Sequence, residues 1–239
     1  MAQDLTKLYQ HGTLAMLVPG LFEGTMSLGD LLKHGDTGIG TATGLGGEMI
    51  VLDGKAYLVK SSGEVLLLPD ETQLPFATVH FADHELTGST VHNLTEKQLG
   101  DKILTEHALQ NVFFAVQITG TFSQVKTRAV AEQKRPYPPL SAVADRQAVF
   151  TEEDGVGTVV GYFSPYLFQG MASAGFHLHY LNDAKTLGGH LLDFTVKEAE
   201  LTLQPFGSVE QHFPLDNQEF MEKEFDLEKM NEEIERSES

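Results

Sequence analysis

The sequence predicts an α+β fold of two packed β-rich halves with mixed and antiparallel sheets, flanking helices and an acidic C-terminal tail. Three observations predict it. Apolar runs of strand length, bounded by turn residues, occupy both ends of the chain. A capped segment of helical length separates them near the middle. An apolar stripe at helical spacing then runs through the final acidic stretch. The order sheet, helix, sheet places the boundary near residue 110, with an N-terminal half over 1–110 and a C-terminal half over 111–239.

Taken in order, residues 4–18 carry Leu5, Leu8, Tyr9, Leu14, Met16 and Leu17 at helical spacing, stopped by Pro19-Gly20, so a sheet-covering helix is expected. Ser27 caps a short helix to about His34. The glycine-rich run Gly35 to Gly47 follows. It is no phosphate cradle, because it lacks the G-x-G-x-x-G spacing, follows a helix and contains no Gly-Lys-Ser/Thr. Glu48–Leu52, Lys55–Lys60 and Glu64–Leu68 form an antiparallel meander joined by Asp53-Gly54 and Ser61-Ser-Gly63. Phe76–Phe81 adds a strand. Thr95-Glu-Lys-Gln98 is a capping box that opens a helix to about Leu109.

Beyond it, residues 111–130 read as paired strand with a break near Gly120, Pro136–Pro139 as a rigid loop, and Leu140–Ala148 as a short helix. Gly157–Phe163, Gly175–Leu181 and His190–Phe206 complete the second sheet. From Asp216 to Ser239 ten acidic residues face three basic ones, while Phe220, Leu227 and Ile234 recur every seven positions. Two readings of this tail stand, a docked helix and a solvated, fraying end.

Composition narrows the chemistry. With 41% hydrophobic residues, 23 glycines and nine prolines in 239 residues, the chain is folded and rich in turns. No cysteine is present, so disulfides, thiolate zinc sites and cysteine nucleophiles are excluded, and any metal rests on His, Asp or Glu. A formal charge of −18 argues against nucleic acid or an anionic membrane as partner. The first residues lack a basic segment followed by an apolar run, and no stretch approaches the roughly 18 apolar residues of a membrane span. The cytoplasm is therefore the expected location.

The most informative stretch is Gly175 to His190. His177 and His179 are two apart, which in a strand turns both to one face. Asn182-Asp183 starts a turn and Gly188-Gly189 ends it, so His190 opens a return strand beside the first. Three neutral imidazoles suit zinc in a catalytic arrangement with a position left for water or substrate. The alternative is histidines satisfied within a sheet.

His80, His84 and His92, with Glu85, form a rival cluster. Ala77–Phe81 reads as strand, where i, i+4 spacing spreads ligands over about 13 Å, so surface histidines are expected there. Glu48 opens a strand after a run of glycines, either reaching a cavity or ending a strand with an ordinary charge. Gln124, Lys126 and Arg128 share one face by alternation. Alone that is a solvated face, whereas beside a metal the guanidinium would grip a carboxylate with two hydrogen bonds. His-x-His with a later strand histidine also occurs in cupins and carbonic anhydrases, but the Glu that cupins place soon after the pair is missing from Tyr180–Lys185.

Several motifs together resemble the α-acetolactate decarboxylase family over nearly the whole chain. These are Gly35–Thr41, the Gly-Glu strand and hairpin Gly47–Gly54, the arginine strand Gly120–Arg128, and Gly-x-His-x-His followed by Gly-Gly-His in Gly175–His190. Gly46 departs from the Asp usual in the family and leaves Glu48 in place. The resemblance implies decarboxylation of 2-acetolactate to (R)-acetoin and carbon dioxide. It implies zinc held by His177, His179 and His190, with Arg128 and Glu48 acting on substrate and a C-terminal glutamate entering the site, Glu238 first and Glu235 second. A homodimer is the candidate assembly. The alternatives are a zinc hydrolase or hydratase of cupin or carbonic-anhydrase type, and a metal-stabilised binding domain without turnover.

Overall fold

A computed structural model describes residues 3–144, 146–226, 230 and 233–234. Its first half runs β1 (Lys7–His11), α1 (Leu14–Leu17), β2 (Met26–Ser27), α2 (Leu28–Leu31), β3 (Thr37–Thr41), β4 (Glu48–Leu52), β5 (Lys55–Val59), β6 (Val65–Leu67), β7 (Gln73–Leu74) and β8 (Phe76–His80). There follow β9 (Ser89–Thr95), α3 (Glu96–His107), β10 (Phe114–Ala129), α4 (Leu140–Ala144), β11 (Ala148–Ser164), β12 (Gly175–Asn182), β13 (Gly188–Pro205), β14 (Ser208–His212) and α5 (Gln218–Met221).

A seven-stranded sheet has the order β14-β1-β8-β3-β4-β5-β6, antiparallel except where β14 lies parallel to β1. The second sheet has the order β10-β11-β12-β13-β9, and β10 also pairs with β13. Four strands thus close on themselves, which removes their exposed edges. The two sheets exchange chain: β9 joins β13 in the second, and β14 returns to the first.

Apolar side chains explain this layering. Leu8, Ile39, Ile50 and Val59 of the first sheet pack against Ala115, Val160, Tyr162 and Leu181 of the second. The other face of the first sheet buries Met49, Val51, Ala77 and Val79 against Leu28 and Leu31 of α2. Phe114, Phe122, Tyr180 and Phe194 fill the closed four-strand unit, over which α3 lays Leu99 and Ile103. A fourth cluster joins Leu14, Leu17, Phe76, Val130 and Leu140 to Met230 and Ile234 near the end of the chain.

The meander, the cap at Ser27 and the capping box at Thr95 match expectation. The balance of the fold does not: it is mostly β, with few short helices, of which α3 at twelve residues is the longest among the described residues. The helix expected over 4–18 is instead β1 followed by one turn of α1, begun by Thr13 accepting from Met16 N. Leu8, Tyr9, Gln10 and His11 are all buried, so β1 is covered on both faces and shows none of the alternation by which a half-buried strand is recognised. Residues 114–129 form one strand whose register slips near Phe122 and again after Lys126. Phe220 and Ile234 of the tail stripe pack into the fourth cluster, while Leu227, Glu235 and Glu238 lie outside the described residues. Among the described residues no helix is long and apolar enough to cross a membrane.

Candidate active site

Strand geometry assembles the histidines. His177 and His179 project from the same face of β12, and His190 lies directly opposite His179 in the β12–β13 pairing. The connecting turn is held by Asn182, whose Oδ1 accepts from the backbone N–H groups of Thr186 at 2.9 Å and Leu187 at 3.1 Å. Gly189 then takes φ +128, a region closed to ordinary side chains, and a Cβ there would run into the carbonyl oxygen of Arg128. That close approach seats His190 between β12 and β10. The three imidazoles have ring centroids 4.9–5.5 Å apart and offer ligand atoms within 4.8 Å of one another.

The donor set fits a divalent metal. Nδ1 of His179 lies 3.0 Å from the Met49 carbonyl oxygen, so it carries the proton and leaves the Nε2 lone pair facing the cluster. That Nε2 is buried and has no hydrogen-bond partner among the described residues. Such an atom is costly to bury unless something binds it. Burial holds His179 well below the usual histidine range, with His177 adding to the effect. His190 is held low by burial first and then by Arg128. Both rings are therefore in the neutral form that ligates metals.

Glu48 and Arg128 reach the same cavity, a space of about 60 Å³. Glu48 begins β4 after Gly47, whose φ of +141 turns the chain into the strand, and its Oε2 stands 3.7 Å from His179 Nε2. Arg128 is buried, pairs across the sheet with His190, and donates from a terminal guanidinium nitrogen to Gln147 Oε1 at 3.0 Å. The solvated face expected for Gln124, Lys126 and Arg128 holds for the first two only. Leu192 is an extra residue on β13, and the resulting bulge after Lys126 lets both Thr127 and Arg128 point into protein.

The rival histidines do not assemble there. His84 and His92 are exposed as expected, but His80 is buried with Nδ1 2.9 Å from the Tyr162 hydroxyl. The partner comes from β11, far along the chain, so no local pattern announces it. Sequence reasoning also missed the Met49 carbonyl, Gln147 and the apolar wall of Leu14, Leu17, Leu45, Phe76 and Leu140. Helical spacing of Leu14 and Leu17 was the only visible signal for that wall.

The alpha-acetolactate decarboxylase family model matches residues 8–227. The chain belongs to the alpha-acetolactate decarboxylase family. It is 36% identical over 235 residues to the alpha-acetolactate decarboxylase of Lactococcus lactis subsp. cremoris, covering 98% of this chain and 99% of that protein. The crystal structure of alpha-acetolactate decarboxylase from Bacillus subtilis strain 168 superimposes with a TM-score of 0.93 at 28% identity, over 98% of this chain and 99% of the other. A Staphylococcus aureus protein described as similar to alpha-acetolactate decarboxylase superimposes equally well, with a TM-score of 0.93 at 39% identity over 97% and 99% of the two chains. The family resemblance read from the glycine, arginine and histidine motifs is thereby established, and the cupin and carbonic-anhydrase alternatives fall away.

Proposed function

We propose that this chain converts 2-acetolactate to (R)-acetoin and carbon dioxide, with zinc held by His177, His179 and His190. Family membership makes the protein an acetolactate decarboxylase, a carboxy-lyase. The observation that carries the site assignment is the convergence of three imidazoles, a buried arginine and a carboxylate on one cavity. A zinc ion bound there supplies a Lewis acid for the negative charge that develops on the substrate's oxygens.

The protein's own groups then have distinct tasks. Arg128 orients the substrate carboxylate through its guanidinium fork, so that the bond to be broken stands perpendicular to the adjacent ketone. When that bond breaks, carbon dioxide leaves and its electron pair enters the ketone, giving an enediolate. The apolar wall of Leu14, Leu17 and Leu140 limits water, which strengthens every charge interaction in the cavity. Glu48, beside His179, contacts the carboxylate or takes part in delivering the proton that completes acetoin on one face. Glu238 is the candidate for a second proton relay from the tail.

An acetoin assay on purified protein with racemic acetolactate, coupled to elemental analysis, tests this reading. It predicts carbon dioxide and a single acetoin enantiomer from zinc-loaded protein. Ester or amide cleavage without acetoin would instead identify a hydrolase.

A further inference from the structure

Gln147 ends the connection from α4 to β11 and meets Arg128 across the sheet. Arg128 stands opposite Val149 in the β10–β11 pairing, so Gln147, two residues before Val149, takes the diagonal position on the same face, a separation that long side chains span. A terminal guanidinium nitrogen of Arg128 donates to Gln147 Oε1 at 3.0 Å. Arg128 lines the cavity that the three histidines share and Gln147 does not, so Gln147 acts on a molecule bound there through the guanidinium.

The backbone of Gln147 is fixed from both sides. Before it, Leu140 and Val143 of α4 are buried in the cluster that holds Leu14 and Leu17, and Leu140 N donates to the Val18 carbonyl at 3.0 Å. After it, Ala148 pairs with Ala129 as β11 begins. Several rotatable bonds separate an arginine's charge from its backbone, so an acceptor on a fixed frame selects one guanidinium orientation before anything binds. The acceptor is an amide, which sets orientation and adds no charge of its own. A carboxylate in its place would compete with a bound carboxylate for the same cation.

We propose that Gln147 is a positioning residue for decarboxylation, an uncharged brace that holds the Arg128 fork in the orientation the substrate carboxylate needs. The inference rests on the carboxylate-orienting role given to Arg128 above, and it separates orientation from charge. Orientation sets how the breaking bond lies against the ketone, and so acts on kcat. The attraction between guanidinium and carboxylate is strongest before carbon dioxide leaves, and so acts on KM.

Steady-state acetoin formation from acetolactate by full-length zinc-loaded protein tests this with two substitutions of similar length. Gln147 is half-buried, so both variants should fold and keep their zinc. Gln147→Met removes the acceptor and should lower kcat by roughly tenfold with KM little changed. Gln147→Glu keeps an acceptor and adds a charge, so it should raise KM by roughly tenfold and leave kcat within about twofold of wild type. In the Arg128→Lys background, where the fork is already lost, Gln147→Met should cost less than about twofold more. Wild-type kinetics in both Gln147 variants, or the same loss of kcat in both, would overturn the inference, and impaired Arg128→Lys would then leave the role of Arg128 standing. A fully additive loss in the double variant would overturn it as well. Near-normal turnover in Arg128→Lys would overturn both the inference and the reading it rests on.

Discussion

Arg128 stands directly opposite His190 across the antiparallel pairing of β10 and β13, a buried cation beside a buried imidazole. The contact helps hold His190 neutral and places the guanidinium at the cavity that the histidines share.

Arg128→Lys keeps the charge and loses the planar fork. Turnover should fall by roughly 100-fold, about 3 kcal/mol of transition-state stabilisation, while zinc content stays unchanged. Steady-state kinetics with parallel metal analysis check this. Near-normal kcat would reduce Arg128 to a structural cation.

Gly189→Ala tests how the site is seated. Its φ of +128 and the Arg128 carbonyl leave no room for a Cβ, so β13 must shift and carry His190 with it. Urea denaturation should show a loss of about 2 kcal/mol or more, together with weaker zinc retention against a chelator. A stable variant with unchanged zinc affinity would show that the hairpin is not what positions His190.

The tail is predicted to work as a lid. Met230 and Ile234 pack with Leu14, Leu17 and Leu140, which also wall the active-site cavity. Removing residues 235–239 should leave a folded, zinc-loaded protein that forms acetoin more slowly, and Glu238→Gln should reproduce most of the loss. Full rate and the same single enantiomer from the truncated chain would move the proton source to Glu48 or water.

Acid sensitivity follows from two buried histidines outside the site. His11 is pushed down to about 4 by burial and by His212, and His80 to about 4 by burial against a small opposing effect of Asp36. Their folded values lie below the ordinary histidine value of about 6.5, so their stabilising contribution is complete above that pH and is lost as the pH falls toward 4. Each contributes a slope of about 1.4 kcal/mol per pH unit in that window. Glu96, raised to about 7 by burial and Asp193, works in the opposite sense, since stability returns as it protonates. Urea midpoints of metal-free protein, in which the buried His179 and His190 act in the same sense, should fall between pH 6.5 and 5, and fall more steeply in Glu96→Gln. A flat or rising profile would contradict the assignment of His11 and His80 as buried neutral groups.

What the sequence reveals depends on the range of the interaction. His177, His179 and His190 were legible because a period of two and a glycine-ended turn are local, and Glu48 was visible beside its glycines. The burial of Arg128 was not, because a bulge contributed by Leu192 on another strand overrides alternation in Lys126–Arg128. β9 and β14 are polar and largely exposed, so they give no apolar signal, and only pairing with β13 and β1 makes them strands. The helical spacing of residues 4–18 misled for the opposite reason: β1 is buried on both faces and so imitates the apolar density of a helix.

The central claim is that His177, His179 and His190 hold the metal on which decarboxylation depends. It is tested most directly by measuring zinc stoichiometry and acetoin formation on the same preparations of the wild-type protein and His179→Ala. The account predicts one zinc per chain and turnover in the wild type, and loss of both together in the variant, since two imidazoles hold zinc poorly against a chelator. Full zinc occupancy with unimpaired acetoin formation in His179→Ala would contradict it.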